Sequence, residues 1–535
     1  MSSETGDRLR LLVVVRPGSM PAWQVTLVGE LETSELCHVA VAGAPPDPGA
    51  GRHESRLFRA YEAWEERHFL GDPNILTPIR HSYPPLGECD RDVDAVLWLA
   101  DPSPPDWALQ LPHGAWYLRQ GTARVDADAP LLDELREGRS VVETALCQLT
   151  PAGERVLLIS AGPTDPVSLF RARQRAYAKA ARLPARYLSR RHERPEAENE
   201  ASPPPETRPA PGVFATLAYL ASLTARLAIR RIRALALENE WFVAYRPLET
   251  PDRRLEPVAD FTPLMPPPGH FYADPFPVRH DDDRDAILFE DYLRSRDQGV
   301  LAYVDIDRNA RASAPMPALE LDTHLSYPFV FQHGGDLYMV PETRRLNRVQ
   351  LMRAVDGLTG WEPTRTLIDA MALTDSTLLL SGGRVWLFGA LAIDEGAALD
   401  ELHLFSAPSL DGEWVPHPLN PIVSDIRSAR PAGALFEHNG ALIRPAQDCS
   451  RSYGWRIVLN RVDVLTEDAY SETAIGHLEP TDRRITRTHT YNASAGYEAV
   501  DGLRTVPKLA ALRRPPKSVR FRVCLYDETD RGRQR

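Results

Sequence analysis

Cysteine is scarce in this sequence, and several common site motifs are missing from it. The five cysteines are widely separated and none forms a CxxC pair, so neither a disulfide framework nor a zinc site is indicated. No GxGxxG or Walker A sequence occurs, which leaves dinucleotide and P-loop binding without support. Excess positive charge is also lacking, because the formal net charge is -12. The balance argues against general nucleic-acid binding, which depends on clustered Lys and Arg.

The beginning of the sequence gives no secretory pattern. It is polar and acidic before its first apolar run, without a basic region followed by an apolar one. We therefore expect a cytoplasmic protein. With 535 residues, of which 43% are hydrophobic, the chain is long enough for two or three cores, so we expect a multidomain fold.

Residues 1–189 show the alternation of an α/β domain. Leu9 to Arg16 is a nearly continuous apolar run, typical of a buried parallel strand, and Cys37–Ala42 and Asp94–Leu99 are further strands. Residues 21–31 have the pattern of a helix between the first two strands. Strand, helix and strand in this order predict an open, largely parallel sheet of the Rossmann type.

Composition changes twice after this domain. Residues 190–212 are rich in Pro, Glu and Arg, which predicts a disordered linker. Residues 213–240 then read as an amphipathic connecting helix with arginines in its second half. A helix that docks on a domain and a helix in peripheral contact with a membrane surface both have this composition. Residues 511–535 form a basic tail.

Between these segments, residues 241–510 repeat one pattern five times. Short strands rich in aromatic and β-branched residues alternate with polar or Gly-bearing turns, and corresponding positions recur at about fifty to sixty residues. Such a sheet cannot bury both faces alone, so it needs neighbours like itself. The repeats predict an all-β, five-bladed propeller.

In a propeller the first strand of each blade lines a central channel, so the residues that begin the repeats meet there. These residues are Asp274, Tyr327, Asp375, Arg430, His489 and Tyr491. Glu290, Glu342 and Asp448 lie one strand further out and are candidates to support them. Each has an alternative role: Asp274 precedes a proline and is suited to accept turn amides, and the tyrosines are suited to packing. A buried Arg430 needs an anionic partner, either Asp375 or a substrate phosphate.

The repeat pattern resembles the five-bladed arabinanases, β-xylosidases and fructan hydrolases. Asp274-Pro275 is similar to their first catalytic Asp, and Asp375 lies near the place of their acid. This resemblance implies Asp274 as base or nucleophile and Asp375 as acid, with Glu342 as a further catalytic candidate. Tyr327 stands where that family has a second Asp, which is a departure from its pattern.

A second resemblance is to the propeller at the N-terminus of plant glucosamine inositolphosphorylceramide transferases. Four motifs carry this resemblance: residues 324–330 (HLSYPFV), 338–343 (YMVPET), 444–450 (RPAQDCS) and 488–492 (THTYN). It implies a propeller that recognises a glycan or sugar phosphate. In the plant proteins a separate transferase domain accounts for sugar transfer.

The first domain resembles the formyltransferase fold, on residues 94–99 (DAVLWL), 113–121 (HGAWYLRQG) and 142–149 (VETALCQL). By position this resemblance implies Asp101 and His113 as site residues and formyl-tetrahydrofolate as cofactor. The Asn-x-His strand and the Ser-Leu-Leu-Pro loop of that family are missing here.

Three hypotheses follow. In the first, the propeller funnel binds a glycan, glycolipid head group or nucleotide sugar without a cofactor and acts as a glycosidase or glycosyltransferase, with Tyr327, Arg430, Asp448, His489, Tyr491 and Glu290 binding the substrate. In the second, residues 1–189 N-formylate an amino sugar. In the third, the protein is a non-catalytic glycan-binding scaffold. The sequence gives no indication of the oligomeric state.

Overall fold

The computed structural model describes residues 8–45, 56–69, 74–89, 92–100, 103–121, 123–125, 131–193, 212–248, 255–281, 284–391, 399–494, 496–509 and 515–526. These residues form two compact units, divided between Ile229 and Arg230. Each unit is taken separately below.

The first unit is a mixed sheet with helices. Its strands are β1 (Leu9–Val15), β2 (Ser19–Pro21), β3 (Cys37–Gly43), β4 (Pro78–Arg80), β5 (Ala95–Leu99), β6 (Ala115–Gln120), β7 (Ala123–Arg124), β8 (Val141–Thr150) and β9 (Gly153–Pro163). Its helices are α1 (Ala22–Thr33), α2 (Arg56–His68), α3 (Asp106–Leu109), α4 (Leu132–Glu137) and α5 (Leu169–Glu193), and α6 (Val213–Ala236) runs across the division.

Half of the main sheet is parallel and half is antiparallel. The order is β3-β1-β5-β6-β8-β9, with β7 on the side of β6. β3, β1, β5 and β6 are parallel, whereas β8 and β9 form an antiparallel hairpin at one edge. Alternate residues of β1 are buried in different clusters, Leu11 and Val13 in one and Leu12 and Val14 in the other. Strands and helices both occur here as predicted, whereas the expectation of a largely parallel sheet is wrong for β8 and β9.

The first residues of the predicted linker are helical. Helix α5 continues through residues 190–193, which the composition had assigned to the linker. Its apolar residues pack on the sheet, with Leu183 and Leu188 in the core, and that packing extends the helix beyond the last apolar position. Residues 194–211 lie outside the described residues.

After α6, the described part of the second unit contains a short 3-10 helix (Arg344–Leu346) and the following strands. They are β10 (Leu237–Pro247), β11 (Val258–Leu264), β12 (His270–Asp281), β13 (Arg284–Leu293), β14 (Gln298–Ile306), β15 (Met316–Leu319), β16 (Ser326–His333), β17 (Asp336–Glu342), β18 (Arg348–Asp356), β19 (Gly360–Asp369), β20 (Leu373–Ser381), β21 (Arg384–Leu391), β22 (Leu402–Ala407), β23 (Val415–Pro416), β24 (Arg430–Pro431), β25 (Phe436–His438), β26 (Ala441–Asp448), β27 (Arg456–Leu465), β28 (Tyr470–Pro480), β29 (Ile485–Arg487), β30 (Tyr491–Ser494), β31 (Tyr497–Pro507) and β32 (Val519–Leu525).

Three of the predicted repeats are separate four-stranded antiparallel sheets. They are β12-β13-β14-β15, β16-β17-β18-β19 and β20-β21-β22-β23. Consecutive strands pair within each sheet, as expected for a meander. The buried aromatic and aliphatic residues that predicted the repeats form the cores of these sheets, for example Phe329, Val340 and Leu387.

The other two repeats belong to one eleven-stranded sheet. Its order is β24-β26-β27-β28-β32-β11-β10-β31-β29, with β25 on β26 and β30 on β31. The strand β10, which comes first in this unit, pairs with β31 over its entire length, from Leu237 opposite Pro507 to Pro247 opposite Tyr497. The fifth repeat therefore obtains its outer strands from the beginning of the unit.

Two segments differ from the sequence prediction. The connecting helix ends at Ala236 rather than at 240, because Leu237 to Glu240 pair with β31. Part of the predicted basic tail is the strand β32, which pairs with both β28 and β11. A strand with alternating arginines resembles a charged tail, but here its Val519 and Phe521 are buried.

Candidate functional site: a cluster of buried carboxylates

The first strand of each of the first three repeats contains a bulge. The pairing of β12, β16 and β20 with the next strand of the same repeat shifts directly after Ala273, Ser326 and Thr374. The extra residue there is Asp274, Tyr327 or Asp375. These three residues have φ values of 52°, 44° and 51°, a left-handed conformation that costs a non-glycine residue roughly 1–2 kcal/mol. Bulges redirect side chains. Their recurrence gives three residues, distant in sequence, the same local geometry.

Asp274 accepts hydrogen bonds from two neighbouring repeats. The Tyr327 backbone N–H donates to its Oδ2 at 3.2 Å, and the Thr490 hydroxyl donates to its Oδ1 at 2.6 Å. Its own N–H donates to Asp501 Oδ2 at 3.3 Å. The side chain is buried, with 4% of the residue exposed. Burial raises the pKa of Asp274 to about 6, with Asp375 and Asp501 adding to the rise and His489 opposing it.

His489 lies between two carboxylates. Its Nδ1 is 2.5 Å from Asp501 Oδ2, and its Nε2 is 3.6 Å from Asp274 Oδ1. Burial by itself lowers the pKa of His489, but Asp501 and Asp274 more than offset it, so this pKa lies above its ordinary value. The imidazole also contacts the Trp241 ring, with centroids 4.3 Å apart. The imidazole is therefore placed between two buried acids, close enough to interact electrostatically with both.

The same three residues have the composition of a metal site. One ligand atom each from Asp274, His489 and Asp501 lies within 4.8 Å of the others. A metal ion would require the neutral imidazole, whereas the two flanking carboxylates favour the protonated one. The geometry therefore fits a proton at least as well as a metal ion.

Asp375 is held by two donors. Arg430 Nε donates to its Oδ2 at 2.5 Å and Nη2 donates to its Oδ1 at 3.2 Å, and Gln447 Nε2 donates to Oδ2 at 2.8 Å. Both partners of the ion pair are buried, with side chains 12% and 3% exposed. Of the two predicted partners for Arg430, the structure supplies Asp375. A paired, doubly hydrogen-bonded carboxylate is stabilised in its ionised form.

Glu342 lies next to the ion pair between Arg430 and Asp375, and its pKa is raised. Its Oε2 accepts a hydrogen bond from the Asp375 backbone N–H at 3.1 Å. Burial raises the pKa of Glu342 to about 8, with the Asp375 charge adding to the rise and Arg430 opposing it. Glu342 therefore holds its proton at neutral pH.

Glu290 is a further buried acid. Burial raises the pKa of Glu290 well above its ordinary value, with the charges of Asp274 and Glu342 adding to the rise. His324 Nε2 lies 3.6 Å from its Oε1. The Gly299 N–H donates to His324 Nδ1 at 2.9 Å, so the proton of the neutral imidazole is on Nε2, facing Glu290. Burial lowers the pKa of His324.

Seven of the residues predicted for the funnel are thus brought together through shared contacts or electrostatic interaction. They are Asp274, Glu290, Tyr327, Glu342, Asp375, Arg430 and His489. Tyr327 takes part through its backbone, because its hydroxyl contacts Thr377 and accepts the Gly433 N–H, both at 2.8 Å. The ring of Tyr327 packs in the hydrophobic core.

Two predicted residues point elsewhere. The Tyr491 hydroxyl donates to Glu498 Oε1 at 2.7 Å, and its ring packs against Phe436, so it belongs to the hydrophobic core. Asp448 accepts from Arg456 Nε at 2.9 Å. Successive side chains of a strand point to opposite faces, and it is the preceding residue, Gln447, that reaches Asp375.

Asp501, Thr490, Gln447 and His324 were missed as site residues. Glu290 pairs with Ala273 and Glu342 with Ser326, each in the second strand of its repeat. The equivalent positions of the fourth and fifth repeats are Gln447, opposite Arg430, and Asp501, whose N–H donates to Thr490. Alignment of the repeats at this position would have found both.

Two residues, Asp101 and His113, were assigned by the formyltransferase resemblance. His113 precedes β6, at the edge where the parallel strands begin, and its Nε2 lies 3.1 Å from Arg191 Nη2. Open α/β sheets form their ligand sites at the carboxyl ends of the strands, so His113 lies at the wrong edge for that role. With Arg10 and Asp94 it lines a cavity of about 480 Å³. Asp101 lies outside the described residues.

Part of the chain is similar to a known family. Residues 262–495 match the family model described as "Glucosamine inositolphosphorylceramide transferase 1, N-terminal". The protein called glucosamine inositolphosphorylceramide transferase 1 from Arabidopsis thaliana is 34% identical over 212 residues, 39% of this chain and 28% of its own length. The protein of the same name from Oryza sativa subsp. japonica is 35% identical over 212 residues, again 39% of this chain and 28% of its own length. The chain thus spans less than a third of the length of these relatives.

Solved structures with distant similarity include glycoside hydrolases. A structure of a β-xylosidase has a TM-score of 0.33 and 13% identity and covers 45% of this chain and 93% of its own. A family 117 glycoside hydrolase from Zobellia galactanivorans has a TM-score of 0.30 and 13% identity, over 50% and 90% of the two chains. At these values the likeness assigns neither a substrate nor an activity.

Proposed function

We propose that the carboxylate cluster is a carbohydrate-active site that cleaves or transfers a glycosyl group. The main support is a pair of buried acids on neighbouring repeats. The pKa of Asp274 is about 6 and that of Glu342 is about 8. At neutral pH the first is ionised and the second is protonated. Two carboxyl groups in different protonation states are what glycosidic bond cleavage requires.

The roles follow from the hydrogen bonds. Asp274 would activate water or a hydroxyl acceptor, or attack the sugar. Glu342 would protonate the leaving oxygen, a role that the sequence had given to Asp375. Both oxygens of Asp375 accept hydrogen bonds from Arg430, and Gln447 donates a further one to Oδ2. Its charge adds to the rise that burial causes in the pKa of Glu342. We therefore assign Asp375 a positioning role.

The proposal includes a ring of five blades. Contacts between the beginnings of different repeats support it: Thr490 to Asp274, Asp274 to Tyr327, Tyr327 to Gly433, and the Tyr491 N–H to the Ala432 carbonyl at 2.8 Å. These contacts run through the first, second, fourth and fifth repeats, and Asp375 with Arg430 adds the third. Such a ring would gather all the acids around one axis.

The substrate class rests on the matched region. Residues 262–495, which contain Asp274, Glu342 and Asp375, are similar to the N-terminal part of proteins named as transferases of a glucosamine inositolphosphorylceramide. We accordingly propose a glycan or glycolipid head group as substrate. Arg430 is already neutralised by Asp375, so recognition of a substrate phosphate by Arg430 is not part of the proposal.

The test combines sugar binding with turnover. Wild-type protein, Asp274→Asn and Tyr491→Phe are titrated calorimetrically with a panel of glycans and glycolipid head groups, and product is followed by chromatography. Asp274→Asn should retain binding and lose turnover by at least about a hundredfold, the usual contribution of a catalytic base. Tyr491→Phe, outside the cluster, should keep both. Equal turnover of wild type and Asp274→Asn would refute the catalytic role.

A non-catalytic carbohydrate-binding site is the second candidate. The specific observation in its favour is that both oxygens of Asp274 and both of Asp375 already accept hydrogen bonds from the protein. Groups satisfied in this way can shape a site without reacting. Sugar binding by the wild type without any product would favour this candidate.

A further inference from the structure

One face of helix α6 packs on the first unit. Thr216 and Tyr219 are completely buried and Leu223 nearly so. The Tyr219 hydroxyl is 3.0 Å from that of Tyr61, and Arg226 Nη1 donates to the Leu135 carbonyl at 2.8 Å. Spacings of three, four and three residues place these side chains on a single face. This face anchors the first half of the helix.

The opposite face of α6 is apolar and uncovered. Phe214 is 89% exposed, Ile232 66% and Leu235 72%. Alanines at 218, 221, 225 and 228 are exposed between them, and the intervals of three or four residues keep all of these positions on one side. The strip continues along the 24 residues of the helix, a length of about 36 Å at 1.5 Å per residue.

Positive charge accompanies the far half of this strip. Arg230, Arg231 and Arg233 are exposed, and they flank Ile229 and Ile232. No Asp or Glu occurs in α6. A helix with a broad apolar face and arginines beside it is suited to a bilayer interface, where the apolar face enters the acyl region and the arginines bind anionic head groups.

We propose that α6 is a membrane-docking element that lies in the surface of an anionic bilayer. Within the described residues it is the one helix long and apolar enough to cross a membrane by length and composition. Crossing would place the buried Tyr219 face and the hydrogen-bonded Arg226 in lipid. Lying flat leaves that face on the protein and turns Phe214, Ile232 and Leu235 towards the bilayer.

Charge complementarity favours an anionic bilayer over a second copy of the chain as the partner of this apolar face. Two copies meeting through the strip would leave the arginines without an acidic partner on the facing helix in either orientation, because α6 contains no Asp or Glu. An anionic membrane supplies the opposite charge and an apolar layer at once. The inference does not depend on the glycosyl chemistry proposed above.

The experiment is co-sedimentation of the full chain with phosphatidylcholine vesicles, with or without phosphatidylglycerol. The wild type should bind the anionic vesicles at least about tenfold more tightly than the neutral ones, and added salt should weaken binding. Phe214→Asp/Ile232→Asp should reduce binding to the anionic vesicles at least about tenfold. Val415→Asp, which changes an exposed apolar residue elsewhere (53% exposed), is the matched control and should bind like the wild type.

Light scattering and circular dichroism accompany the binding measurement. Unchanged helix content in the double variant shows that loss of binding is not loss of folding. No binding by the wild type, equal binding by the wild type and the double variant, or a wild-type dimer that the double variant abolishes, each overturns the proposal. Arg230→Gln/Arg233→Gln should reduce the preference for anionic vesicles and keep the residual affinity for neutral ones.

Discussion

Asp274 and Asp375 have the same backbone geometry but differ in the charge that surrounds them. Asp375 faces a guanidinium and an amide, whereas Asp274 faces a hydroxyl, a backbone N–H and an imidazole that Asp501 also engages. Burial raises the pKa of Asp274 to about 6, with the charges of Asp375 and Asp501 adding to the rise. A difference in neighbours turns two equivalent residues into a reacting group and a positioning group.

The pH dependence of turnover is the first prediction at this scale. Asp274 must be ionised, so activity should fall as the pH drops below about 6. Glu342 must be protonated, so activity should fall as the pH rises above about 8. The profile of kcat/KM should be bell-shaped between these values. A profile that is flat from pH 5 to about 9 would contradict the assignment of acid and base.

The ion pair between Arg430 and Asp375 gives a stability prediction. Arg430→Ala removes the guanidinium and leaves a buried carboxylate, so it should lower the free energy of unfolding by about 3–5 kcal/mol. Arg520→Ala breaks an exposed pair with Asp260, both side chains being 56% exposed, and should leave the free energy of unfolding near the wild-type value because exposed ion pairs contribute little. Urea denaturation measures both. Similar losses in the two variants would show that the Arg430 pair is not structurally important.

Sequence patterns located the acids of the first strands better than those of the second. Asp274, Asp375 and Arg430 begin their repeats and are recognisable from the pattern. In the second strands, an error of one residue moves a side chain to the other face, which is why Asp448 was chosen in place of Gln447. The raised pKa of Glu342 depends in part on Asp375 and Arg430 from other repeats, and no local pattern contains that information.

At the scale of elements, the junction of the fourth and fifth repeats depends on a glycine. Gly433 has a φ of 132°, and an added Cβ would lie 2.0 Å from the Tyr491 carbonyl oxygen. Gly433→Ala should therefore destabilise the protein by at least about 2 kcal/mol, combining backbone strain with a steric clash. Thermal or urea unfolding measures the loss.

The matched control for this substitution is Gly440→Ala. Gly440 also has a positive φ, 74°, but nothing lies within 4 Å of an added Cβ. It should show the backbone cost alone, of about 1 kcal/mol. If the two variants were equally stable, the close approach of the two repeats at Gly433 would be wrong.

The ends of elements were harder to predict than their existence. Leu237 to Glu240 continue α6 in composition, since Leu and Glu favour helices. Pairing with β31 overrides this preference. The partner lies more than two hundred and fifty residues away, as Leu237 is opposite Pro507, so a reading based on neighbouring residues extends the helix.

At the scale of the whole molecule, the second unit should fold only if β10 is present. β10 is the neighbour of β31 through eleven residues, from Leu237 to Pro247. A fragment of residues 230–526 should fold cooperatively. A fragment of residues 262–526 contains the whole matched region but leaves one side of β31 unpaired, and should aggregate or unfold. Gel filtration and thermal unfolding compare the two, and a stable, monomeric shorter fragment would contradict this dependence.

The central claim is that Glu342 donates a proton to the leaving group while Asp274 does not. The direct measurement is the rate of wild type, Glu342→Gln and Asp274→Asn on alkyl and dinitrophenyl glycosides of the sugar that binds. Glu342→Gln should lose about 10²–10⁴-fold on the alkyl glycoside and little on the dinitrophenyl glycoside, whose leaving group needs no proton. Asp274→Asn should lose activity on both. If Glu342→Gln slowed both substrates equally, or neither, the account would be contradicted.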